Sequence, residues 1–189
     1  TFVASQPGPA RLVFKGISHT VTVSLGGVEV GHHHNAFTPF AIEIPELAEG
    51  THELLLCISN EHGDISALHV PNDYYNYGGV SLPVEVQFLQ RPLFIRHVHV
   101  TTTETQGQWH AELVAVVRNL ADAATVDLSI QLAGTTVEEK QVVCGQGDTV
   151  IPLQLMPPSV TPWSPETPQL YPLMASLRDD DAVVDDWSD

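Results

Sequence analysis

Apolar and polar residues alternate with a period of two along most of this chain. Val21, Val23 and Leu25 alternate with Thr20, Thr22 and Ser24, and Phe40, Ile42 and Ile44 with Ala41 and Glu43. Val126, Leu128, Ile130 and Leu132 alternate with Thr125, Asp127, Ser129 and Gln131. Tyr171, Leu173, Ala175 and Leu177 alternate with Pro172, Met174, Ser176 and Arg178. This period puts one face of each segment in a core and the other in water, as in a half-buried β-strand. Leu54–Ile58, "LLLCI", is apolar at every position, which predicts a strand in the middle of a sheet. Gly26-Gly27, Glu49-Gly50, Gly78-Gly79 and Gly145-Gln146-Gly147 separate the runs as turns. No stretch keeps a helical period. The predicted class is all-β, with short, closely spaced strands as in sandwiches.

A division falls near Gln90-Arg91-Pro92, giving predicted domains over 1–91 and 92–189. The second holds about seven strand-like runs in under 100 residues, which suits an immunoglobulin-like sandwich without the Cys…Trp…Cys signature of antibody domains. Near the end, Asp179-Asp180-Asp181 and Asp185-Asp186 flank Val183-Val184, predicting a hairpin with an acidic, solvated turn.

Hydrophobic residues make up 43% of the 189, enough for a packed core. The net charge of −16 is spread over both halves. Residues 1–91 carry −6 (three basic, nine acidic) and residues 92–189 carry −10 (four basic, fourteen acidic). Such a surface repels phosphate backbones and anionic lipid, so neither nucleic acid nor membrane is an expected partner. No apolar run is long enough for a transmembrane helix. No leader pattern opens the chain, but Thr1 is not an initiator methionine, so the compartment is not readable. Cys57 and Cys144 each lie in an apolar run and are expected to be buried free thiols in separate domains.

Several segments then fall into a known order. Phe14-Lys15-Gly16-Ile17, Val23-Ser24-Leu25-Gly26-Gly27 and Gly31-His32-His33-His34-Asn35-Ala36-Phe37-Thr38-Pro39-Phe40 are followed by "DYYNYGGVSLPV" and by "PWSPETPQLYPL" (162–173). This series resembles glycoside hydrolase family 2, the β-galactosidases, β-glucuronidases and β-mannosidases. The resemblance runs through nearly the whole chain. It implies a galactose-binding-like jelly-roll (sugar-binding) domain over 1–91, truncated at its N-terminus, and an immunoglobulin-like domain over 92–189. The family's catalytic barrel would follow, and the chain stops at Asp189, where the link to it is expected. Four positions depart from the family pattern. Gly26 replaces an Asn, Asn35 and Ala36 replace a Gly pair, and Leu82 stands where an Arg is common.

The loop 73–79, "DYYNYGG", is too aromatic and too Gly-rich for a plain connector. In the family, the acid at the position of Asp73 reaches into the barrel's pocket and contacts the sugar or a bound cation. A carboxylate there can accept hydrogen bonds from two sugar hydroxyls and so fix orientation. The competing reading is an Asp that starts a turn by bonding its own backbone. Tyr74 and Asn76 either line a sugar subsite or pack into the core. Tyr75 and Tyr77 are expected as buried anchors. Adjacent residues of a strand face opposite ways, so only His32 and His34 of the histidine triplet share a face, and two ligands do not make a zinc site. His33 matches the family's hairpin histidine and is expected to be structural. His97 and His99 also share a face, with the same reading. Ser81, His69 and Asp73 lack the strand-turn-helix context of a nucleophile elbow.

A retaining glycosidase needs two carboxyls about 5–5.5 Å apart, and in the family both are glutamates on the barrel. Glu166 of "SPE" lies in a structural segment instead. No catalytic residue, metal or cofactor is therefore assigned. The resemblance implies a non-catalytic accessory region of a hydrolase of β-glycosides, acting in carbohydrate metabolism. Such a region buttresses the barrel and supplies a loop to the sugar pocket. No activity is expected from these residues alone, while the parent is expected to be a retaining O-glycosyl hydrolase of the β-galactosidase or β-glucuronidase type. The expected partners are a β-glycoside and the barrel of the parent chain, with room for contacts between copies in a homo-oligomer. The alternative is a free-standing carbohydrate-binding module.

Overall fold

The computed structural model describes residues 1–36, 38–61, 77–157, 159–180 and 182–189. Among them every regular element is a strand, and the chain forms two compact units, Thr1–Gln90 and Arg91–Asp189. No helix of the described residues is long and apolar enough to cross a membrane.

The first unit contains β1 (Phe2–Ala4), β2 (Gly8–Phe14), β3 (Ile17–Ser18), β4 (Thr20–Leu25) and β5 (Val28–His34). It continues with β6 (Phe40–Leu47), β7 (Gly50–His52), β8 (Leu54–Ser59), β9 (Gly79–Val80) and β10 (Val84–Phe88). Two antiparallel sheets, β10-β2-β6 and β5-β4-β8, share one core. Ala10, Leu12 and Phe14 of β2 and Ile44 and Leu47 of β6 meet Val21 and Val23 of β4 there. All but Leu47 are the inward positions of a period-two pattern; Leu47 turns inward past a register irregularity between β2 and β6. The β4–β5 hairpin turns on Gly26 and Gly27, whose φ of 57° and 83° give the two left-handed residues such a turn requires.

Among the described residues Leu54–Ser59 has no second neighbouring strand and pairs with β4 alone. Its inward residues are Leu54, Leu56 and Ile58, while Leu55 is 61% exposed and Cys57 is an exposed free thiol. A strand of a two-sheet sandwich turns only one side to the shared core, so period two prevails over the all-apolar run. Of the two thiols only Cys144 is buried.

The second unit contains β11 (Leu93–Thr105), β12 (Gln108–Asn119), β13 (Ala124–Leu132), β14 (Thr135–Cys144), β15 (Gly147–Leu155), β16 (Leu173–Asp179) and β17 (Ala182–Ser188). Sheets β11-β12-β15 and β14-β13-β16-β17 enclose a core that includes Leu113, Ala115, Val117, Leu128, Ile130, Ile151, Ala175 and Leu177. This three-plus-four sandwich is the immunoglobulin-like arrangement. Its one buried polar side chain among the described residues is Asn119, which is 1% exposed. Asn119 Nδ2 donates to the carbonyls of Asp122 (2.8 Å) and Cys144 (3.0 Å), and its Oδ1 accepts from the Ala121 N–H (3.0 Å). Desolvation is thereby offset by three hydrogen bonds that tie the turn after β12 to the end of β14. The acidic tail does form a hairpin, β16–β17, but it is not all solvated charge. Asp185 Oδ2 accepts the Ile95 N–H at 2.7 Å, beside an irregularity in β11 where regular pairing lapses.

Candidate functional site

Asp73, Tyr74 and Asn76, the expected sugar-contacting residues, lie outside the described residues, as do Tyr75, His69 and the rest of 62–76. What is described is the stem of their loop. On one side, the Ser59 carbonyl at the end of β8 accepts the His19 N–H at 3.0 Å. On the other, β9 pairs with β3, Ser18 opposite Gly79 and Ile17 opposite Val80. The Ile17–His19 segment thus lies between both flanks. Asn60 and Gly78 approach closely as well: a Cβ on Gly78 would lie 2.9 Å from Asn60 Cγ, so only glycine lets the flanks meet in this way. Ser81 is spent on the stem, its Oγ donating to the Gly16 carbonyl at 3.2 Å. Tyr77 is not a buried anchor. It is 79% exposed.

The histidine triplet on β5 follows strand alternation. His32 and His34 are exposed and His33 is half-buried. His33 stacks on Phe40 with ring centroids 4.1 Å apart, and Phe40 stacks in turn on the fully buried Phe14 at 4.6 Å. The column anchors β5 to the facing sheet. His34 Nδ1 lies 2.9 Å from Thr20 Oγ1. No group of three metal-ligating side chains comes together among the described residues.

Two of these histidines resist protonation. His19 is buried beneath the loop stem, with Ser18 Oγ 2.9 Å from its Nδ1. Burial, helped by repulsion from His34, holds its pKa below the usual value. Burial also lowers His33. Repulsion from His34 adds to the effect, and backbone hydrogen bonds at Asn35 and Thr38 oppose it.

Among the described residues the second unit carries three concavities, the smallest, of about 110 Å³, beside Arg91, Asn119, Asp122 and Asp179. A polar groove of about 590 Å³ runs over the outer face of β13, β14 and β16, where Asp127, Glu139 and Asp180 mix with Lys140 and Arg178. An apolar cleft of about 480 Å³ opens near the chain end, walled by Val100, Trp109, Leu170, Tyr171 and Trp187, with Asp189 its one acidic residue. The sequence reading assigned no role to this cleft. The signal for it was present in "PWSPETPQLYPL", whose large apolar residues do not follow strand alternation: Trp163 is 60% and Leu170 72% exposed.

Comparison with known proteins adds to these observations. The family model for glycosyl hydrolases family 2 matches residues 93–189. The chain is 27% identical over 177 residues to a β-galactosidase of Streptococcus thermophilus, a match covering 91% of this chain and 17% of the relative. The crystal structure of a GH2 β-galacturonidase from Eisenbergiella tayi, bound to galacturonate, superposes with a TM-score of 0.90 at 34% identity. That match covers 100% of this chain and 34% of the other. A β-glucuronidase of Bacteroides uniformis superposes at 0.78 with 19% identity, over 95% of this chain and 24% of its own, a likeness of fold alone. The chain thus spans between 17% and 34% of the length of these relatives. With the family's sequence pattern running through almost all of the second unit, in a sandwich whose core that pattern builds, this chain belongs to the glycosyl hydrolases of family 2.

Proposed function

We propose that residues 1–189 are the non-catalytic accessory region of a family 2 hydrolase of β-glycosides. Residues 1–91 act as its jelly-roll, sugar-binding-type domain and residues 92–189 as its immunoglobulin-like domain. The observation that carries this reading is the match at 34% identity and full coverage of this chain to only 34% of a β-galacturonidase. In a parent of that kind most of the protein, and with it room for a catalytic domain, lies outside the matched region. The three concavities support the division of labour. Among the described residues, the polar groove has its acids on an open sheet face among two cations, the apolar cleft has one acidic residue, and in the smallest concavity Asp179 is paired with Arg91 at 3.1 Å, so none presents an isolated carboxyl pair.

The loop 73–79 supplies one wall of the parent's sugar pocket, with Asp73 orienting sugar hydroxyls and Tyr74 and Asn76 beside it. The stem described above supports this role, since a loop that positions a ligand needs fixed ends. β-Galacturonides are the first substrates to test, because that is the chemistry of the relative at 34% identity. The test is Asp73→Ala in the intact parent. Loss of hydrogen bonds to a charged acceptor, roughly 1.5–3 kcal/mol, lowers kcat/KM about 10- to 150-fold with little change in Tm. A lowered Tm with unchanged kcat/KM would leave Asp73 as a turn residue only.

A further inference from the structure

The apolar cleft of the second unit lies at the root of a projecting arm. Three-stranded pairing ends where Ala111 of β12 meets Leu155 of β15, but β11 and β12 go on pairing to Thr105 and Gln108. Among the described residues, 102–110 is therefore a ribbon of two strands. Such a ribbon is marginal in water unless a face is covered. Its root supplies Val100 and Trp109 to one wall of the cleft, and residues 157–173 supply Leu170 and Tyr171 to the other. Leu170 is 72% exposed, and Met156, beside cleft-lining Leu155 and Pro157, is 64% exposed. Large apolar side chains grouped in one concavity mark a contact surface.

The chemistry of the lining selects the occupant. A sugar needs convergent polar groups for its hydroxyls, and this lining is almost wholly apolar outside Thr102, His110 and Asp189. A second copy would bring another half-chain of net charge −10 against this one. A family 2 relative, by contrast, holds about twice as much chain again outside the matched region. Asp189 lines the cleft with its backbone paired to Leu173, so any chain that continues from it leaves at the rim. Tethering there gives a high effective concentration at no cost in new contacts.

We infer that this cleft is the docking surface for the part of the parent outside residues 1–189, which seats an apolar ridge between the arm and the 156–173 segment. The inference rests on the function proposed above and names the surface through which the accessory region holds the rest. It is tested by amide hydrogen exchange on the 189-residue chain and on the intact parent. The expected result is exchange slowed by about ten-fold or more in 102–110 and 156–172 of the parent. Leu170→Asp abolishes that protection in the parent while leaving the Tm of the 189-residue chain unchanged. Thr102→Lys, on the opposite wall, gives the same pattern if Leu170→Asp disturbs folding. Equal exchange in both proteins overturns the inference. So does protection that appears in the 189-residue chain as its concentration rises, which identifies a second copy, or on adding oligosaccharide, which identifies a sugar site. Glycosidase turnover by the 189-residue chain sinks the proposed function itself, whereas silence with an unprotected cleft sinks only the docking surface.

Discussion

Replacing Asn119 should damage the second unit more than any exposed change, and the size of the loss follows from its partners. Asn119→Ala removes two hydrogen bonds donated to the Asp122 and Cys144 carbonyls and one accepted from the Ala121 N–H. At about 1 kcal/mol net each, the loss is about 3 kcal/mol, and more if the bared groups stay dry. For a domain of this size that lowers Tm by roughly 12–24 °C. Asn119→Asp is the sharper test. It keeps an acceptor for Ala121 but turns a carboxylate oxygen toward two carbonyl oxygens, in a site that is 1% exposed. At neutral pH it should be worse than alanine, because it buries an unpaired charge. Its folded-state pKa is then raised above the unfolded value. Relative to wild type, it should regain stability as pH falls through the folded pKa, when the protonated acid again donates one hydrogen bond. The assay is convenient because Trp109, Trp163 and Trp187 all lie in the second unit, so a urea titration followed by tryptophan fluorescence reads that unit alone. A loss below about 1 kcal/mol for alanine, or an Asp variant more stable than alanine at pH 7, would refute the reasoning.

Two further outcomes follow from the first unit. Because His19 and His33 have lowered folded-state pKa values, the unfolded chain binds more protons below the ordinary histidine value. Their contribution to stability is therefore present above the unfolded pKa and is lost as pH falls from there through the folded pKa. NMR titration should find both rings protonating below the ordinary value; a normal or raised midpoint for either contradicts the burial assigned to it. Cys57, exposed on β8, should react with a thiol reagent in the native protein, while Cys144, buried and with its pKa raised by burial, should react only on unfolding. Two fast thiols in the folded chain would count against the packing of β14.

Much of this fold was legible because period two is a direct record of which side of a strand meets the core. Val21 and Val23, Leu128 and Ile130, and Ala175 and Leu177 are all inward as their alternation requires. Gly26-Gly27 likewise announced its hairpin through the φ values only glycine takes readily. Composition alone misled at Leu54–Ile58, since apolar residues on both sides of a strand do not say whether a second neighbour exists. It misled again at Tyr77, where a large aromatic suggested burial but the side chain is 79% exposed. His33 was identified as structural, yet its stacking on Phe40 depends on two sheets meeting, which no local pattern contains. The apolar cleft was hidden for a similar reason. Its walls come from β11, β12, β13, β15, β17 and the 157–173 segment, brought together only by the sandwich. The residues assigned to the sugar pocket, Asp73, Tyr74 and Asn76, lie outside the described residues, and only the stem of their loop bears on them.

The central claim is that these residues serve catalysis without performing it. The most direct measurement compares the purified 189-residue chain with the intact parent on nitrophenyl β-galacturonide, β-galactoside, β-glucuronide and β-mannoside. The account predicts turnover of at least one substrate by the parent and none above buffer by the 189-residue chain. Turnover by the 189-residue chain that survives repurification would contradict it.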